Sequence, residues 1–231
     1  MKKMNWLLCL AVAVIVMQSC MKNNNDTPAT PVAGLMAFNL APDKNQVGFE
    51  IGGNRFTNQP LAFLSYNGLY TGVFTGTRTL TAFDFGSYNT IANASNTYED
   101  GKYYSAFLIG ANNNYRTVVV ADGLDSLEGV AGKAYIRYIN AIPDSTTPTV
   151  TVTANEAPVN SAALAYGGIT DFMAVNAGEI TISTSNGSNV NTNRTFAVTD
   201  KKIYTILLAG NPASTGADSV QTRYIENGTL Q

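Results

Sequence analysis

Three blocks of this 231-residue chain occur twice, in the same order and about one hundred residues apart. "FNLAPD" at Phe38–Asp43 returns as "INAIPD" at Ile139–Asp144, and Leu64, Tyr66 and Gly68 return as Leu164, Tyr166 and Gly168. "DGKYYSAFLIG", Asp100 to Gly110, returns as "DKKIYTILLAG", Asp200 to Gly210. Such a period is far longer than a solenoid repeat and matches the size of an ordinary domain. It predicts two tandem domains, residues 34–128 and 132–231, with a short join around "DSLEGVAGK", Asp125 to Lys133.

Each copy reads as β. "TVTVT", Thr149 to Thr153, alternates apolar and hydroxyl side chains, which places valines on one face of a strand and threonines on the other. "EITIST", Glu179 to Thr184, follows the same rule. "YYSAFLIG", Tyr103 to Gly110, and "IYTILLAG", Ile203 to Gly210, are unbroken apolar runs and predict central strands buried on both faces. Asp100-Gly101 predicts a tight hairpin. Pro42 and Pro143 end the first strand of each copy, because proline cannot donate to a ladder. No amphipathic helix is expected outside the N-terminal segment. The expected fold is all-β: two tandem Ig-like sandwiches of antiparallel sheets.

The N-terminus sets the address. Lys2 and Lys3 precede the apolar run Trp6 to Met17, too short for a comfortable membrane span and suited to a secretory signal. The run ends in "MQSC", which resembles the bacterial lipoprotein signal, in its Bacteroidetes-type relaxed form, with Cys20 as the acylated residue. Residues 1–19 are then signal peptide, and residues 20–33 are lipidated cysteine and flexible Asn/Thr/Pro tether. The expected location is the outer membrane, held by lipid without spanning; periplasmic and cell-surface faces both stay open. Cys9 lies inside the signal, so the domains contain no thiol for a disulfide or a thiolate metal site. Loss of Lys2 and Lys3 leaves 12 basic against 16 acidic side chains, a net of about −4, which offers nucleic acid no electrostatic footprint.

With those residues in view, "AYIRYINAIPDS" and "AYGGITDFMAVNAGEITI" are similar to the two signature blocks of the bacterial family called domain of unknown function 4397. That family opens with an Arg-bearing strand running into a His-Ala-Ser-Pro-Asp turn, followed by a Tyr-Gly stretch and a glycine-started strand. The matching positions are Arg137, Pro143, Asp144, Tyr166, Gly167, Phe172 and Gly178, with Asn140 where the family has histidine. The first copy matches at Pro42, Asp43, Tyr66 and Gly76, with Ala37 in the arginine position. The resemblance implies an exported, often lipid-anchored β-sandwich and carries no established activity.

Chemistry is sparse. Histidine is absent from the whole chain, which removes the commonest general base, the usual triads and most zinc sites. No phosphate-binding loop or dinucleotide fingerprint occurs, and no cofactor or metal is expected. A carboxylate-based hydrolase would have to draw on Asp84, Glu99, Asp100, Asp171 and Glu179. Asp100 and Asp200 occupy equivalent turns, and Asp171 has Thr71 as its counterpart, so turn roles explain them better. Asp122, Asp125 and Glu128 supply hard oxygens for calcium without EF-hand spacing. Tyr70, Tyr88 and Tyr98 are the loop-side aromatics able to stack on sugar rings. Ser126, Ser145 and Ser219 each follow an aspartate in the Asp-Ser/Thr-apolar pattern of Bacteroidetes O-glycosylation. Taken together, these features point to a non-enzymatic envelope protein that binds a glycan or another protein. A structural spacer without a ligand is the alternative, and a carboxylate-based hydrolase the more distant one.

Overall fold

The alternation in the sequence is realised strand by strand. In the computed structural model, which describes residues 30–143 and 147–231, the Thr149–Ala154 strand buries Val150 and Val152 and turns its threonines outward. Gly178–Ser185 likewise buries Ile180 and Ile182. No α-helix occurs among the described residues; the linker contains one 3-10 turn, Leu124–Ser126.

Among the described residues, seventeen strands form four sheets. The first inner sheet orders β4 (Ser65–Tyr66), β1 (Val32–Asn39), β8 (Tyr103–Ala111) and β9 (Asn114–Ala121), with β5 (Thr71–Phe74) sharing the β1 edge with β4. The first outer sheet orders β3 (Asn54–Arg55), β2 (Val47–Ile51), β6 (Gly76–Asp84) and β7 (Thr90–Tyr98). The second inner sheet orders β13 (Met173–Asn176), β10 (Lys133–Ala141), β16 (Lys202–Ala209) and β17 (Gln221–Thr229). Its outer partner orders β12 (Ala157–Ala163), β11 (Thr149–Ala154), β14 (Gly178–Ser185) and β15 (Asn191–Val198).

One conventional core lies between each inner sheet and its outer partner, two in all. A third lies between the two inner sheets, where Phe38 and Phe107 meet Ile139, Leu207 and Ile225. The layers therefore run outer, inner, inner, outer. This third core explains why β8 and β16 are apolar on both faces: one face serves its own sandwich and the other the neighbouring copy. Phe38 and Phe107 stack at 4.7 Å with no exposed surface; each buried ring is worth about 1.5–3 kcal/mol.

Two features differ from the sequence reading. The sheets are antiparallel except at the centre of each inner sheet, where β1 runs parallel to β8 and β10 parallel to β16. Parallel neighbours need a long connection, and the chain supplies it by passing through the outer sheet before returning. For the same reason Asp100-Gly101 is no hairpin, since β7 lies in the outer sheet and β8 in the inner one. The turn crosses between layers, and the Asp100 Oδ1 accepts the Val32 N–H at 2.9 Å, pinning the start of β1. Asp200 does the same for the second copy by accepting the Gly132 N–H at 2.7 Å.

Candidate functional site

Arg137 is a full charge in the middle of an otherwise apolar strand, and a buried guanidinium must find acceptors. It lies 2 % exposed where the two inner sheets meet. Its Nη1 donates to Asp122 Oδ1 at 2.7 Å, Nη2 to Ser105 Oγ at 2.8 Å and Nε to Thr205 Oγ1 at 2.9 Å. Ser105 Oγ donates to Asp122 Oδ2, which also accepts the Tyr70 hydroxyl. Asn227 Nδ2 donates to Tyr70 Oη, and Thr205 Oγ1 donates to Asn227 Oδ1. The chain of bonds closes on itself as a ring of six side chains, three from each copy. The Phe172 ring closes one side, with the guanidinium carbon 4.4 Å from its centroid.

Strand pairing shows which residues correspond between copies. Leu35 faces Thr71 and Ile136 faces Met173, so Tyr70 corresponds to Phe172 and Leu69 to Asp171. The counterpart of Asp171 is thus Leu69 rather than Thr71. Met36 pairs with Ser105 as Arg137 pairs with Thr205, so Met36, not Ala37, stands at the arginine position. Met36 to Arg137 is 101 residues, Thr71 to Met173 is 102 and Ser105 to Thr205 is 100, so a single constant offset misplaces both positions. Asn140, in the family's histidine position, does a job shared by both copies. Its Oδ1 accepts the Ile142 N–H and its Nδ2 donates to the Leu164 carbonyl; Asn39 makes the equivalent bonds to Ala41 and Leu61. Tyr166 and Gly167 also serve the join between copies. Arg116 donates to the Tyr166 carbonyl at 2.9 Å and lies over its ring.

A cavity of about 230 Å³ opens beside the ring, lined by Asp122, Ser126, Arg137, Asp171 and Phe172 among others. Two carboxylates line it, but both oxygens of Asp122 are already engaged. The other hydrolase candidates lie apart. Asp84 pins a turn, Asp100 pins β1, Glu99 is exposed in the turn after β7, and Glu179 projects from β14. The calcium candidates do not converge either. Asp122 is held by Arg137, Asp125 pairs with Lys102 at 2.6 Å, and among the described residues no three metal-ligating side chains cluster.

The three tyrosines proposed as a stacking platform are separated by the fold. Tyr98 is 1 % exposed inside the first sandwich, packed edge-on against Tyr104, so its ring is unavailable to a ligand. Tyr70 is committed to the inter-copy ring; burial, then the Asp122 charge, pushes its hydroxyl far above the usual range and keeps it a donor. Tyr88 is 60 % exposed on the outer face of the first outer sheet. It stacks on Phe83 at 5.5 Å and 12°, and Phe83 stacks on Phe85 in turn. Arg55 donates to the Tyr88 hydroxyl and sets its guanidinium 5.2 Å from the ring centroids of Tyr88 and Phe85.

Tyr88 is held there at a cost. Its φ of +59° is left-handed, worth about 1–3 kcal/mol of strain for a bulky residue. The turn that imposes it is built by Asp84, whose Oδ1 accepts the Gly86 and Ser87 N–H groups and the Ser87 hydroxyl. The bonds from Ser87 lower the Asp84 pKa, so the clamp stays ionised. Phe83 fits beneath because Gly48 opposite has no side chain; a Cβ there would come within 2.3 Å of the ring. The second copy has Ser185 at the Phe83 position and an Asn-Gly-Ser turn after it, with no aromatic residue.

Of the serines in the glycosylation pattern, Ser126 is exposed on the 3-10 turn with its hydroxyl bonded to the Gly123 carbonyl. Ser219 is half-buried in the tight loop between β16 and β17. Ser145 and Cys20 lie outside the described residues.

No curated protein matches the sequence. Among solved structures, the chain is similar to the Bacillus anthracis TIE protein, at 14% identity and a TM-score of 0.26, over 78% of this chain and 34% of that one. It is also similar to a candidate cell adhesion protein from Bacteroides uniformis, at 8% identity and a TM-score of 0.25, over 85% of this chain and 98% of that one. The chain thus spans about a third of the length of the first. The family model described as domain of unknown function (DUF4397) matches twice, over residues 33–146 and 134–229. The two matches cover both sandwiches and the residues of the inter-copy ring, and the chain belongs to the DUF4397 family as a tandem pair.

Proposed function

We propose that this chain is a non-enzymatic, lipid-anchored protein of the bacterial outer membrane that works by binding, and that the Tyr88 platform is its glycan contact. One observation carries the reading: a strained, exposed aromatic ring is held rigid by a turn, a stacked partner and an arginine. A fixed ring presents its face to the C–H groups of a sugar without first losing rotamer freedom. Strain of this kind persists where surrounding structure over-determines it, and such positions cluster at ligand contacts. Meanwhile Asp84 and Asp100 are engaged in turns and Asp122 in the ring, and Glu99 and Glu179 stand apart from them, which supports binding over hydrolysis.

On a glycan array, Tyr88→Ala is expected to lower affinity for the bound glycan by about tenfold, the loss of one stacking contact. Unchanged affinity in Tyr88→Ala would move the contact away from Tyr88, and a parent that binds no glycan would leave the spacer reading in its place. Intact mass of the native protein tests the anchor and the glycosylation pattern together. Acyl mass on Cys20 is expected, absent in Cys20→Ala, and sugar increments would map to Ser126, Ser145 or Ser219. A native mass of bare polypeptide sinks both expectations.

A further inference from the structure

Arg78 continues the inward row of β6 set by Leu80 and Ala82, where strand pairing in the second copy places the fully buried Ile180. A charge at an inward position needs a partner. Arg78 lines a cleft of about 290 Å³ that enters the first sandwich between β5 and the β2–β3 edge. The apolar wall of the cleft is Val32, Ile51, Phe56, Val73 and Phe74. Val32 and Phe74 are cross-strand partners, and both are exposed. The second copy has Lys133 and Asn176 at those two positions, bonded to each other at 2.7 Å. Among the described residues no carboxylate lines the cleft. Glu50 alternates with Phe49 and Ile51, which pack on the first core, and so faces the other side of β2. Asp100 accepts the Val32 N–H without lining the cleft. Arg55 contributes to the rim, but its guanidinium is held on Tyr88 and Phe85.

We infer that this cleft binds a carboxylate carried on a short apolar chain or ring. Arg78 Nε donates to the Phe74 and Thr75 carbonyls at 2.7 and 3.2 Å, which fixes the guanidinium at the cleft. Its Nη1 and Nη2 have no protein acceptor among the described residues. Together they form an end-on fork that matches the two oxygens of a carboxylate. One free guanidinium balances one negative charge, whereas a phosphate monoester brings nearly two. An ammonium would meet the arginine with no carboxylate to receive it. The walls favour an apolar body, because the ligand and the exposed Val32–Phe74 pair leave water together. The volume is small for a ligand site, which suits one chain or ring rather than a two-tailed lipid. This cleft is separate from the glycan contact, since Tyr88 does not line it, and either can fail without the other.

The test is a calorimetric titration of the purified chain with octanoate, acetate, 1-octanol, octylammonium and octyl phosphate. Octanoate is expected to bind at least about tenfold more tightly than each of the others, since each lacks the charge, the tail or the charge match. Arg78→Gln should lower octanoate affinity about tenfold, to the level of 1-octanol, and Arg78→Lys should retain part of it. Val32→Asp places a carboxylate at the mouth and should turn the preference toward octylammonium. Val32 is 45 % exposed, so this second variant keeps the test decisive if Arg78→Gln loses the turn that its Nε holds. A thermal midpoint equal to the parent's verifies the fold of each variant. No octanoate binding by the parent overturns the inference, as does 1-octanol or octyl phosphate binding as tightly as octanoate. Octanoate affinity unchanged in folded Arg78→Gln, or in Val32→Asp, overturns it equally.

Discussion

Arg137→Ala is expected to destabilise the folded chain by about 3–5 kcal/mol, because it strands a buried carboxylate rather than merely removing a bond. The Asp122 side chain has no solvent exposure, and Arg137 is its sole ion-pair partner among the described residues. Ser105 and Thr205, both fully buried, lose a donor at the same time. For a domain pair of this size that loss lowers the thermal midpoint by roughly 10 °C. Replacing both members, Arg137→Met with Asp122→Leu, should be less damaging than either single change, since no unpaired charge is left behind. Because the ring takes side chains from both copies, chemical denaturation should show one transition for the parent. A loss below about 1 kcal/mol in Arg137→Ala would mean that water reaches Asp122 and that the ring does not lock the copies together.

Gly210→Ala is expected to cost about 3 kcal/mol, from backbone strain and overlap acting together. Gly210 has φ +131°, a region essentially closed to other residues, and a Cβ there would come within 2.2 Å of the Ser219 carbonyl oxygen. Backbone cannot rotate away as a side chain would, so the loop closing β16 onto β17 has to move. At Gly110, the same place in the first copy, a Cβ would come within 2.1 Å of the Asn114 carbonyl oxygen, and Gly110→Ala should behave alike. Gly53 is the comparison. Its φ is +77° but nothing lies within 4 Å, so Gly53→Ala should cost only about 1 kcal/mol. Equal losses at Gly210 and Gly53 in a urea titration would show that the loop yields and that only φ matters.

These two residues also mark how far the sequence could be read. The glycine ending "AFLIG" and "ILLAG" stood out as part of the repeat, but a carbonyl two ångströms from a missing Cβ belongs to residues brought there by a hairpin. Arg137 was visible as a charge within an apolar run, a signal that it needs a buried partner. Which partner it finds is set by the packing of one copy on the other, fifteen residues away in sequence for Asp122 and sixty-eight for Thr205. Tyr70, Tyr88 and Tyr98 looked alike as loop-side aromatics. Their fates were decided by parity and layer: Tyr98 shares the inward row of β7 with Ala92, Tyr70 meets the second copy, and Tyr88 alone faces outward.

The β character, the duplication and the double-sided burial of β8 and β16 follow from local periodicity, because each strand's pattern records which of its faces meets water. Parallel pairing at the centre of each inner sheet, the closed ring between the copies and the isolation of one tyrosine on an outer face do not follow from it. Those depend on distant segments meeting, and the free energy of such meetings lies in shape and hydrogen-bond partners that no single stretch of chain contains. Duplication preserved the strands in both copies, while the turn after β6 diverged, and there the fold leaves one aromatic ring exposed.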